Sequence, residues 1–334
     1  MMRRAGVLIA ALASLLAGPA TVPASANAGP GAPDPVPALA GALTGETPGE
    51  VPGALPAEAF APVPAEYPAR HPAGSSAGQP AHPAAGAPAV PYDYAPRTFT
   101  GVGFDTCHTP SFETMQDWTA SPYRAVGVYI GGRARACPDQ PNLTPGWVRA
   151  VDSLGWRLLP LYVGSQAPCV HAKGKRRYTI DGYAPRYQGV REGADAVRQA
   201  RALGMHEGSP VYLDMEAYDQ RNASCARTTL AFVQGWSREV RRHGYLPGFY
   251  SSSTSGIQHM ERARRAGAGD LPGAVWFARW QEEPDLFGEP VLASDAWQPH
   301  RRVHQYRGNI RQTWGGRTLK IDANLVDAPV AVVG

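Results

Sequence analysis

The chain has 334 residues and a formal net charge of +4, enough for one sizeable domain plus accessory segments. No run beyond the amino terminus is long and apolar enough to span a bilayer. No phosphate loop, dinucleotide fingerprint or nucleic-acid recognition motif occurs, so transport, nucleotide-dependent catalysis and sequence-specific nucleic-acid binding are set aside.

Residues 1–28 read as a secretion signal. Arg3-Arg4 lead, Val7 to Ala17 is apolar but short, and Ala24-Ser25-Ala26 and Ala26-Asn27-Ala28 are small-x-small cleavage sites. The arginine pair permits twin-arginine as well as general export. Residues 29–96 hold 16 of the 33 prolines with much Ala and Gly, and no Trp or Cys. Such a segment buries too little apolar surface to fold and is expected to be a disordered linker. All eight Trp and all four Cys lie in 97–334, near the ~250 residues of a single (β/α)8 barrel. With +2 on the leader and −5 on the linker, this part carries +7. Its arginine groups Arg238/Arg241/Arg242 and Arg262/Arg264/Arg265 read as solvated helix faces, or as attraction to anionic wall polymers.

Phe99–Asp105 is the first expected strand, and Ser111 caps a short helix to Trp118. Ala125–Ile130 is the second strand; Thr144-Pro145 opens a helix to Leu154. Trp156–Val163 is the third strand, followed by a loop with the basic run Lys173–Arg177. The helix Tyr187–Leu203 leads to a strand at Val211–Asp214. The helix Ala226–His243 ends at Gly244. Leu246–Tyr250, a helix around Ile257–Ala266 and Ala274–Ala278 follow. Arg302–Tyr306 and Leu319–Val326 are the last strands, with little or no helix between them.

Repeated strand–helix order implies parallel strands and right-handed crossovers. A doubly wound sheet fits that order, but a (β/α)8 TIM-like barrel, irregular in its last third, fits better. Asp105, Asp214, Tyr250, Arg279, Gln305 and Asp322 fall at or near the carboxyl ends of different strands, which only a barrel gathers at one mouth. Each cysteine follows an expected strand, so neighbouring loops favour Cys107–Cys137 and Cys169–Cys225 over the other pairings. Zinc is the rival, without CxxC or HxxxH spacing to support it.

Asp214 and Glu216 stand two apart at the end of a core strand, on one side of it. Adjacent buried carboxyls repel and lose hydration, which stability alone does not favour. Two carboxyls a few ångströms apart suit glycosidic cleavage. Aromatics expected near the mouth, Tyr129, Tyr162, Tyr250, Trp280 and Tyr306, with Arg279 and Gln305, suit sugar rings. Tyr212 and Trp276 read as core.

The motifs Gly103-Phe104-Asp105, Tyr212-Leu213-Asp214-Met215-Glu216, Gly248-Phe249-Tyr250-Ser251-Ser252, Trp276-Phe277-Ala278-Arg279-Trp280, His304-Gln305-Tyr306 and Ile321-Asp322-Ala323-Asn324 occur in one order. This order resembles the actinobacterial secreted glycoside hydrolase-like domain family, itself similar to glycoside hydrolase family 25 lysozymes. The resemblance implies a barrel acting on peptidoglycan-type cell-wall glycan. Glu216 would be the general acid, Asp214 its supporting carboxylate, and Asp105 and Asp322 the first- and last-strand acids. In those roles Glu216 is expected to have a raised pKa, crowded by Asp214 and partly desolvated, and Asp214 to stay ionised through hydrogen bonds or by facing Arg279. The first motif departs from the lysozymes in continuing Thr106-Cys107. A barrel that binds wall glycan without cleaving it is the alternative, and a divalent ion held by the four acids a distant third. The expected protein is a secreted monomer with cell-wall glycan as partner and no cofactor, metal, nucleic acid or transmembrane segment after leader removal.

Overall fold

The computed structural model describes residues 96–334. The expected leader, 1–28, and nearly all of the expected linker, 29–96, lie outside them. Eight strands close into one barrel in chain order. They are β1 (Thr98–Asp105), β2 (Ala125–Gly131), β3 (Arg157–Tyr162), β4 (Pro210–Asp214), β5 (Leu246–Ser252), β6 (Ala274–Ala278), β7 (Arg302–Trp314) and β8 (Arg317–Pro329). The helices are α1 (Phe112–Asp117), α2 (Pro145–Ser153), α3 (Pro185–Ala202), α4 (Ala223–Arg242) and α5 (Gln258–Arg265). Among the described residues no helix is long and apolar enough to cross a membrane.

Local signals place the helix starts. Ser111 Oγ accepts from the Thr114 amide, Thr144 Oγ1 from Trp147, and Asn222 Oδ1 from Cys225, each relieving an otherwise unpaired first-turn donor. Asn222 moves the start of α4 three residues ahead of the expected Ala226. Helices α3 and α4 approach backbone to backbone. A Cβ at Gly189 would lie 2.1 Å from the Phe232 carbonyl oxygen, and one at Gly235 2.1 Å from that of Arg186.

The expectation of parallel strands throughout needs one correction. Strands β1 to β7 pair in parallel, but β8 runs antiparallel to both β7 and β1. The cause is local. Gly315 and Gly316, at φ 54° and 79°, form a two-residue turn with both residues in the left-handed region, the geometry that folds a twisted hairpin. No helix intervenes, so the chain returns beside itself. Asp322 therefore comes to the mouth from the amino-terminal half of its strand, in register with Asp105.

Period-2 alternation sorts the strand side chains. Tyr212, Trp276, Leu159, Leu161, Val303 and Val326 fill the barrel interior. Phe104, Leu213, Phe249 and Phe277 pack outward with Trp118, Trp156, Phe232 and Trp236. The inner series continues upward into the polar residues of the mouth.

Candidate functional site

Asp105 ends β1 and is buried. Its Oδ2 accepts from Gln305 Nε2 and Asn324 Nδ2, both at 2.9 Å, and its Oδ1 from the Tyr129 hydroxyl at 3.0 Å. The two amides cannot be turned over. Gln305 Oε1 accepts from Trp280 Nε1 and the Tyr250 hydroxyl, and Asn324 Oδ1 accepts from Trp276 Nε1. An indole N–H only donates, so both NH2 groups must face Asp105. A proton on Asp105 therefore belongs on Oδ1, where the Tyr129 hydroxyl can turn from donor to acceptor. Burial first, and then the charge of Asp322, raise the Asp105 carboxyl to about 7 despite the three donors.

Asp214 ends β4 at 5% exposure, on the same face as Tyr212. Its Oδ1 is buried without a hydrogen-bond partner among the described residues. Burial, followed by the charge of Glu216, pushes its pKa well above the ordinary carboxylate range. Glu216 lies beyond the strand end, its side chain 37% exposed and its Oε1 3.6 Å from Lys175 Nζ. The expectation that Asp214 is the member held in the ordinary carboxylate range is thus corrected: Asp214 is the buried member of the pair, and its carboxyl is the raised one. Nor does Arg279 face Asp214; it pairs with Glu289 at 3.1 Å and Glu282 at 3.4 Å. Asp322 is partly buried, accepts from the Asn309 amide, and is raised chiefly by burial.

Sequence reasoning misses Gln166, which is fully buried. Its Oε1 accepts the Glu216 amide at 2.9 Å, while Nε2 donates to the Asp214 carbonyl at 2.9 Å and the Gly164 carbonyl at 3.2 Å. One side chain thereby holds the backbone on either side of Met215. Lys175, visible in sequence only within its basic run, is anchored on the Ala134 carbonyl at 2.8 Å. Asn324 stands in the quoted last motif, but nothing there marks it as a donor to Asp105.

Two clefts meet at Glu216. One, of about 610 Å³, is lined by Asp105, Tyr129, Asp214, Glu216 and Asp322, with Arg135 and Lys175 among its walls. The other, of about 480 Å³, is lined by Glu216, Tyr250, Arg279 and Trp280. Gln305 is buried and lies between them, bonded to Trp280, Tyr250 and Asp105. Two expected site residues lie elsewhere. Tyr162 alternates with inward Leu161, so it faces outward and donates to Asp195 at 2.7 Å. Tyr306 alternates with inward Gln305 and packs edge-on against His304 on the outer face.

Cys107 is bonded to Cys137 and Cys169 to Cys225; the first ties two neighbouring loops at the mouth, the second ties the β3–α3 loop to the first turn of α4. Among the described residues the one group with metal-ligand proximity is Cys107, His108 and Cys137. Its two sulfurs share the first disulfide, so neither is available as a thiolate ligand.

The Mycobacterium tuberculosis Tat-secreted protein Rv2525c, solved with L-tartrate, aligns at 14% identity over 68% of this chain and 96% of its own, with a TM-score of 0.47. The modular autolysin LytC from Streptococcus pneumoniae aligns at 12% identity over 68% of this chain and 46% of its own, with a TM-score of 0.43. The Clostridium perfringens spore cortex lytic enzyme SleM aligns at 11% identity over 68% and 67%, with a TM-score of 0.41. Comparison with curated protein sequences finds no match. The family model described as "Rv2525c-like, glycoside hydrolase-like domain" matches residues 116–326, and the chain belongs to that family.

Proposed function

We propose that this is an exported glycoside hydrolase acting on cell-wall glycan of the peptidoglycan type, with Glu216 as the acid/base carboxyl. The position of Glu216 carries the reading. Its carboxylate borders both clefts, so a sugar chain laid through them sets a glycosidic bond against it. Asp214 beside it is buried, burial and the charge of Glu216 raise its carboxyl pKa, and its Oδ1 has no hydrogen-bond partner among the described residues. Asp105 and Asp322 supply further acids on the far wall. Tyr250 and Trp280, the latter 46% exposed, offer ring faces to sugars in the second cleft. Carboxyl pairs of this kind cleave acetals by protonating the leaving oxygen and stabilising the oxocarbenium-like centre.

Digestion of purified cell wall tests this. Glu216→Gln is expected to lower release of reducing ends by at least about 100-fold while leaving wall pull-down intact. Failure of the wild type to release anything from wall or chitin-type glycan sinks the hydrolytic reading.

One observation favours a second reading, a wall-glycan-binding barrel without turnover. Lys175 Nζ faces Glu216 Oε1 at 3.6 Å, so in the free protein this side chain is paired with a cation. Pull-down by the wild type without hydrolysis is the outcome that selects it.

A further inference from the structure

The basic groups of the chain fall into two kinds. On the helices many are occupied: Arg264 and Arg265 bind Glu261, and Arg242 binds Glu239. On the β2–α2 and β3–α3 loops five are not. Arg133, Arg135, Lys173, Arg176 and Arg177 have no acidic partner within ion-pair distance among the described residues. Lys173, Arg176 and Arg177 are exposed on a single 3-10 helix, Lys173–Tyr178.

These cations form one built surface. Arg133 and Arg177 both lie over the Tyr178 ring, at 6.0 and 4.8 Å from its centroid. Arg133 also donates to the Thr179 carbonyl, and Lys175 to the Ala134 carbonyl, which lock the β3–α3 loop onto the β2–α2 loop. Gathering like charges without a counter-charge costs stability. Lys175 and Arg135 extend this surface into the first cleft, opposite Asp105, Asp214, Glu216 and Asp322. The cleft is therefore two-signed, with an acidic floor and a cationic wall.

We infer that the β3–α3 loop is a recognition site for carboxylates carried as substituents on the glycan, beside the ring seated at Glu216. A free polyanion meets repulsion from the acidic floor. A chain neutral at its rings and acidic at a side group satisfies both walls. The inference rests on the glycan reading and narrows it to acidic glycans.

Binding of soluble muramyl oligosaccharides with free carboxylates is compared with the same fragments after carboxyl amidation, and with neutral chitin oligomers, by calorimetry at low and high salt. The wild type is expected to prefer the carboxylate form by about tenfold at low salt, as for three or so exposed charge pairs. The combined variant Lys173→Ala, Arg176→Ala, Arg177→Ala loses that preference and keeps its affinity for the amidated and chitin ligands. A control lowering net charge elsewhere, Arg227→Ala with Arg238→Ala on exposed positions of α4, keeps the preference. Retention of the preference by the triple variant, or equal loss in the control, overturns the inference. So does binding of a phosphate-linked wall polymer through these residues without glycan in the cleft. Absence of binding to all three glycans defeats the glycan reading itself, and the inference with it.

Discussion

Burial sets Asp105 apart from a surface carboxyl, and two tryptophans fix which of its oxygens the amides meet. Their indole N–H groups orient Gln305 and Asn324, whose amides then converge on one oxygen. An asparagine at this position presents its oxygen to those amides and its NH2 to Tyr129, which mimics the protonated acid. The folded carboxyl, at about 7, lies above the ordinary 3.8, so the native state holds a proton that the unfolded chain releases. That contribution is complete below about pH 3.8 and is lost as pH rises through about 7. Asp105→Asn is therefore expected to match the wild type in stability near pH 4 and exceed it by a few kcal/mol at pH 8. Urea unfolding across that range reads the difference, and parallel pH profiles for the two proteins contradict the assignment. Gln166→Ala leaves the Glu216 amide and Asp214 carbonyl without their buried partner and is expected to cost about 2–4 kcal/mol. An unchanged unfolding midpoint would show that the segment is held by other means. Gln166 was not legible in sequence, since its partners are backbone groups 48 and 50 residues away. The Asp214/Glu216 pair was legible, but its division into buried and exposed members was not. Where β4 ends decides that, and it ends at Asp214.

Among the elements, capping residues and strand runs place most boundaries within a few residues, since both are local chemistry. Two other features were readable by the same rules. Strict alternation from the inward Leu161 and Gln305 turns Tyr162 and Tyr306 away from the mouth. Gly315-Gly316 between strand-forming runs is a hairpin signal, which the preceding strand–helix rhythm obscures. The α3–α4 contact is less readable, because glycine marks close approach only when its neighbour is known. Gly235→Ala places a methyl on the Arg186 carbonyl and is expected to destabilise by about 1–3 kcal/mol, measured by chemical denaturation. Wild-type stability in this variant would mean the helices separate freely.

For the whole molecule, both disulfides brace one end of the barrel. Cys107–Cys137 closes 30 residues and Cys169–Cys225 closes 56. Loss of either by paired Cys→Ala substitution is expected to cost about 3–4 kcal/mol, seen as a lowered denaturation midpoint. No loss in either variant would show that the loops are fixed by their other contacts. The barrel itself could be anticipated from the spacing of polar strand ends; its reversed last strand falls outside the crossover rules, which describe parallel neighbours, and only the Gly315-Gly316 turn signals it.

That reversed strand has a consequence in time. Asp105 belongs to the first strand, yet its amide partners lie 200 and 219 residues later. Contacts of such separation form only after the intervening chain has been ordered. A polypeptide emerging amino-terminus first therefore carries no organised carboxyl site until its closing hairpin docks. Whatever chemistry the mouth performs stays silent through synthesis and begins with the completed barrel.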